Sequence, residues 1–302
     1  MEGEVLGTLM AILASLSWAT AAVLYRKALM RFSNPLITNG LRVPLAILTL
    51  LLIAFVMTGA EPIIYLLTHT DVLLLVFVAT LIANVVGDTL YLVAIRNVGV
   101  STGYPLSYTY PLMVAVLAAV FLREHIYLSL IAGTAIAILG VWLLSQKPSG
   151  NNESEIGRYS FAAGVVAALG ASLSWSVAIV VLKVVVMGAD PIAAAIFKLI
   201  FILVLVSPVM LVKHEEVRRN VDKRTLMFAM AGGIFGIGVG DWFLYVSLKM
   251  IGAARAAALT TSAPLLSLIL AVLILKERVV VRQVFGTVLV VTGVLMVVLK
   301  PF

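Results

Sequence analysis

Cysteine is absent from the chain. Disulfides, thiolate catalysis and cysteine metal sites are thereby removed. Charge is scarce as well: 12% of the 302 residues are Asp, Glu, Lys or Arg, where soluble domains carry about a quarter. The three histidines, His69, His125 and His214, lie far apart near loops and form no metal spacing. There is no Walker sequence, no His-Glu-x-x-His and no Gly-x-Ser-x-Gly. Glu2 and Glu4, and no basic residue, precede the first apolar run. A cleaved signal peptide needs the opposite charge, so this run is expected to remain as a first helix.

What the chain has is apolar length: 63% of it is hydrophobic. The apolar runs are continuous and do not alternate, which indicates transmembrane helices and not barrel strands. Ten spans are expected, at about 5–25, 35–57, 72–95, 101–122, 126–145, 160–182, 191–212, 226–248, 254–275 and 279–299, each near the ~20 residues that cross the hydrocarbon. The net charge of +7 lies mostly at helix ends. It reads as charge for a lipid surface and not as a nucleic-acid footprint.

A polar linker at 147–159, with Lys147-Pro148-Ser149-Gly150-Asn151-Asn152, divides the chain into halves at 1–146 and 160–302. The halves repeat each other. Ala14-Ser15-Leu16-Ser17-Trp18 recurs as Ala171-Ser172-Leu173-Ser174-Trp175, Asn34-Pro35 matches Asp190-Pro191, and Arg42 matches Lys198. Gly87-Asp88, Pro111 and Glu124 recur 153 residues later as Gly240-Asp241, Pro264 and Glu277. Five spans per repeat is an odd number, so the second copy enters from the opposite side. The expected fold is an all-α integral membrane protein of about ten helices in two inverted five-helix repeats.

These residues together resemble the drug/metabolite transporter superfamily, specifically its ten-helix EamA-type members. The resemblance covers both halves. It rests on the Ser-Trp pairs of helices one and six, on Arg42 and Lys198 early in helices two and seven, on Pro111 and Pro264, and on Glu124 and Glu277. It implies a secondary carrier with a central cavity between the halves, often an exporter of metabolites or amino acids. Asp88 and Asp241 are not part of that family pattern. Loops after odd-numbered helices hold fourteen basic residues against five on the other side, which places those loops in the cytoplasm. The resemblance implies the reverse; both put the two termini on one side.

Asp88 and Asp241 each fall about four residues past the centre of a span, ~6 Å from the midplane at ~1.5 Å per residue. An ionised Asp at that depth costs at least ~2.5 kcal/mol, so it faces water or a cation, or is protonated. Two readings stand. The aspartates are a proton- or cation-linked pair that exchanges with substrate, or they form structural ion pairs with Arg42 or Lys198. Asn84, Asp88 and Tyr91 share a helix face, and Asn84 aligns with Ile237.

Pro111 and Pro264 are expected mid-helix, freeing the carbonyls of Ser107 and Thr260 either toward a cavity or at an ordinary kink. Tyr104, Tyr108, Tyr110, Thr261 and Ser262 surround them. Trp18 and Trp175 lie too deep for an interfacial belt and either pack across the pseudo-axis or stack on substrate. Gly232, Gly236 and Gly240 read as close-packing positions. Gly236-Ile-Gly238-Val-Gly240 has the glycine spacing of a nucleotide loop but follows no strand. Glu124 and Glu277 read as interfacial ion pairs or gates.

The chain is therefore expected to be a multi-pass protein of the cytoplasmic membrane, a monomer or a homodimer. It would move a small organic solute by alternating access, with no cofactor beyond a coupling proton or cation. An intramembrane enzyme acting on a lipid-linked substrate and a structural membrane subunit are the rivals. A cavity holding Arg42 or Lys198 with the aspartates would suit a zwitterion such as an amino acid.

Overall fold

The computed structural model describes residues 2–122, 128–145, 158–251, 256, 259–260, 262–276 and 279–298. Among them six helical rods are long and apolar enough to cross a membrane: Gly3–Arg31, Pro35–Met57, Thr70–Val98, Ser160–Gly188, Pro191–Val212 and Lys223–Ile251. Shorter apolar helices make up helices four, five, nine and ten: Val100–Ser107 with Tyr110–Leu122, then Leu128–Ser145, Ala263–Leu270 with its continuation Ala271–Leu275, and Val281–Val298. Among the described residues the fold is all-helical, five helices to each inverted repeat. Short helices Glu61–Thr68 and His214–Asn220 follow helices two and seven at matching places.

Sequence sets where these rods begin. Asn34 and Asp190 cap helices two and seven, their side chains accepting from the Ile37 and Ile192 N–H groups at 3.3 and 2.9 Å. Pro35 and Pro191 follow at the first helical position, where the missing N–H is harmless. Helix two is interrupted at Arg42, dividing Pro35–Leu41 from Val43–Met57. Pro44 lies in the first turn of the second piece and has no N–H for the Gly40 carbonyl, which takes the Arg42 N–H instead. Helix seven, with Ile200 at the aligned place, runs unbroken through that region.

The polarity is inside out. Phe55, Val56, Met187 and Val212 are exposed on the outer surface, while Arg42 and Lys198 are the largest fully buried side chains, each 1% exposed. Helix one packs on helix eight and helix six on helix three, each pair joining the two repeats. Helices five and ten also pair. A Cβ on Gly140 would lie 2.7 Å from the Gly286 carbonyl, so bare glycine lets these backbones touch. Arg26 of helix one caps the end of helix three, donating to the Ile95 and Arg96 carbonyls at 2.7 Å.

Candidate functional site

Helices three and eight carry one device twice. Each passes through a π-helical turn, Leu81–Gly87 and Ile234–Gly240, directly before its aspartate. The Asp88 N–H donates five residues back, to the Ala83 carbonyl, and the Asp241 N–H reaches the Gly236 carbonyl in the same way. The wider turn releases the carbonyls of Asn84 and Ile237 from the normal ladder. Side chains take them. Asn39 Nδ2 donates to the Asn84 carbonyl at 2.8 Å, and Lys198 Nζ to the Ile237 carbonyl at 2.6 Å. Neither these turns nor the role of Asn39 is legible in the sequence. Its one signal was spacing: Asn39 precedes Arg42 by three residues and so shares its helix face.

Each aspartate is then clamped by both repeats. Asp88 pairs with Arg42 and accepts from Asn84 Nδ2 at 2.9 Å. Its other oxygen accepts from Trp175 Nε1, of the opposite repeat, at 2.7 Å. Asp241 pairs with Lys198 at 2.6 Å and accepts from Trp18 Nε1 at 2.8 Å. Gly87 and Gly240 make room for the indoles: a Cβ on Gly240 would lie 2.8 Å from Trp18, and one on Gly87 3.1 Å from Trp175. Asn39 Oδ1 accepts from Arg42 Nε at 3.0 Å, and the Arg42 guanidinium lies 5.0 Å over the Tyr25 ring. Lys198 lies 5.6 Å over the Tyr245 ring.

Between the clamps is a cavity of about 120 Å³. Trp18, Asn84, Asp88, Tyr91, Tyr108, Trp175, Asp241 and Arg42 all face it. Tyr104 and Tyr110 join them, and so do Tyr25 and Tyr245, which the sequence did not single out. The rings form a chain: Tyr104 to Tyr108 at 5.1 Å, Tyr108 to Tyr110 at 5.2 Å, and Tyr91 to Trp175 at 5.3 Å between centroids. Lys198 sits behind Asp241 and does not line the space.

Three expectations change. The prolines do not kink continuous helices. Helix four breaks after Ser107 through a tight turn, in which Tyr108 and Thr109 N–H groups reach the Pro105 and Leu106 carbonyls at 3.1 and 3.3 Å. Pro111 falls in the first turn of the new helix and Pro264 at the aligned place in helix nine, where proline lacks nothing that is needed. Ser107 and Thr260 lie one layer behind the cavity. Ser107 donates to the Gly103 carbonyl at 2.9 Å, and Thr260 bonds the Tyr110 hydroxyl at 2.8 Å. Lastly, Arg42 and Lys198 are taken up by the aspartates and leave no charge over for a zwitterion. Thr261, Glu124 and Glu277 lie outside the described residues.

Ten helices in two inverted repeats, enclosing a cavity clamped by both, define a multi-pass membrane protein of the transporter type. The chain belongs to the EamA-like transporter family, whose model matches residues 5–146 and 162–299. It is 24% identical over 228 residues to an uncharacterized transporter of Archaeoglobus fulgidus, covering 76% of this chain and 77% of that one. A solved crystal structure superposes with a TM-score of 0.68 at 17% identity, over 97% of this chain and 96% of the other, a likeness of fold.

Proposed function

We propose that the protein is a secondary transporter of the cytoplasmic membrane that moves a small organic solute by alternating access, coupled to a proton. The observation that carries this reading is the pair of indole–carboxylate bonds, Trp18 to Asp241 and Trp175 to Asp88, each joining one repeat to the other at the cavity. Inverted repeats place equivalent elements toward opposite faces of the membrane. Breaking one bond while keeping the other would part the repeats on one side only. Both aspartates face the cavity, so a solute there is in reach of both bonds.

The two clamps differ in one chemical respect. Arginine does not release its proton, whereas a buried lysine can. The Asp241 side chain is 17% exposed against 8% for Asp88. The Lys198–Asp241 pair is the coupling site of this reading, and Arg42–Asp88 its fixed counterpart. An enzyme using the aspartates has weaker support, because each carboxylate already takes an indole and a cation. Thermal-shift screening of a solute library on the purified protein, at mildly acid and neutral pH, tests the reading. A stabilising solute whose effect changes with pH, and loses that change in Asp241→Asn, supports it. Stabilisation by lipid-linked compounds alone contradicts it.

A further inference from the structure

The two walls of the cavity are chemically unlike. Tyr25 of helix one and Tyr104 and Tyr108 of helix four are 3%, 2% and 3% exposed. None of their hydroxyls makes a hydrogen bond of good geometry among the described residues, although Tyr25 lies beside Arg42 and Tyr104 beside Tyr108, and all three line the cavity. The aligned residues of the second repeat are Leu182, Ala257 and Thr261. Leu182 lines the facing wall with Ile179 and Leu244. Among the described residues, one part of the lining thus offers three hydroxyls without a bond and another, at Ile179, Leu182 and Leu244, offers aliphatic carbon. Buried polar groups almost always have partners, so three orphans aimed at one space point to an occupant that supplies them.

The ionic groups offer no such opening. Asp88 is held by Arg42, Asn84 and Trp175, and Asp241 by Lys198 and Trp18. A charged solute entering here loses its water without gaining an unspent counter-charge.

We propose that the cavity binds a solute without net charge. Its head, an amide, carbonyl or hydroxyl group, bonds the hydroxyls of Tyr25, Tyr104 and Tyr108. Its apolar body lies against Ile179, Leu182 and Leu244. This names the substrate class of the transport site and rests on the transporter reading. The cavity of about 120 Å³ matches a solute the size of a small metabolite, since one water needs roughly 10–15 Å³ of such space.

The test titrates the full chain, in lipid nanodiscs, with three probes of one carbon skeleton: isovaleramide, isovalerate and isopentylammonium. Trp142→Phe and Trp242→Phe leave Trp18 and Trp175 as the fluorescent reporters at the cavity. Isovaleramide is expected to bind roughly tenfold more tightly than either ion. Tyr25→Phe, Tyr104→Phe and Tyr108→Phe together should raise its Kd by roughly a hundredfold, the loss of three net hydrogen bonds. Each single Tyr→Phe variant is titrated beside the triple, and its melting curve checks that it folds. Equal or tighter binding of an ion, no binding of any probe, or a Kd indifferent to the Tyr→Phe changes overturns the proposal. If a charged library solute is still transported, the transporter reading stands and only the substrate class falls. If no solute is transported, the reading beneath it falls as well.

Discussion

The indole of Trp18 donates to Asp241, 223 residues away and in the other repeat, at 2.8 Å. The symmetry of the fold returns the same bond from Trp175 to Asp88 at 2.7 Å. Each bond holds two repeats together through a carboxylate that its own repeat neutralises. Removing an indole therefore leaves an oxygen in the cavity wall without its donor. Trp18→Phe and Trp175→Phe are each expected to lower stability by about 1–3 kcal/mol. Trp175→Phe should cost more, because Asp88 is the less exposed carboxylate. Denaturation of both variants in detergent, compared with the native protein, checks the order.

The ion pairs predict strong non-additivity. Arg42→Gln or Asp88→Asn alone strands a buried partner and should cost about 3–5 kcal/mol. The double variant should recover a large part of that loss. A double-mutant cycle on thermal unfolding measures the coupling; simple addition of the two single effects would contradict the pairing.

Arginine and lysine should not be interchangeable between the repeats. Lys198→Arg replaces a releasable proton with a fixed one, so transport should lose its pH dependence. Arg42→Lys should keep that dependence. Solute flux in proteoliposomes across a pH gradient reads both.

A Cβ on Gly240 would meet the Phe235 carbonyl of the π turn first and the Trp18 ring at 2.8 Å. Gly240→Ala is expected to displace the indole and cost about 1–3 kcal/mol by overpacking. A red shift of tryptophan emission together with a lower melting temperature would report it.

Away from the cavity, Asp222 caps helix eight, accepting from the Thr225 N–H at 2.8 Å, and pairs with Arg31 at the end of helix one. The Arg31 hydrogen bond holds its carboxyl well below the usual carboxylate range. A depressed folded-state pKa gives stability that is present above the unfolded value, about 3.9, and lost as pH falls through the folded one. Asp222→Asn should therefore flatten the acid limb of the stability–pH curve below about pH 4 and leave the neutral region's slope unchanged.

The fold was legible because its signals are one-dimensional. Apolar run length gave the helices, Ser17-Trp18 recurring as Ser174-Trp175 gave the repeat, and five spans per repeat gave its inversion. The Arg42–Asp88 and Lys198–Asp241 pairs appeared in the sequence as one of two readings, since a buried charge needs a partner. The Trp18–Asp241 bond was hidden, because it depends on how the repeats dock. The π turns were hidden too: one extra residue in a helical turn leaves no trace in composition, and Gly236 and Gly240 read as simple packing. Pro111 and Pro264 misled through their central position. Where a turn already breaks the helix, proline begins the next piece. Tyr25 and Tyr245 lie in apolar rods whose inward face only the packing reveals.

The most direct test of the account asks whether the two indole bonds hold opposite sides shut. With no native cysteine, spin labels can be placed at will. Helix order puts residues 33 and 220 at one end of the bundle and residues 60 and 187 at the other. Distances are measured for Ser33→Cys/Asn220→Cys and for Ala60→Cys/Met187→Cys, in the native background and with Trp18→Phe or Trp175→Phe. The account predicts that each Trp variant lengthens one pair and that the two variants lengthen opposite pairs. Lengthening of the same pair by both, or of neither, would contradict it.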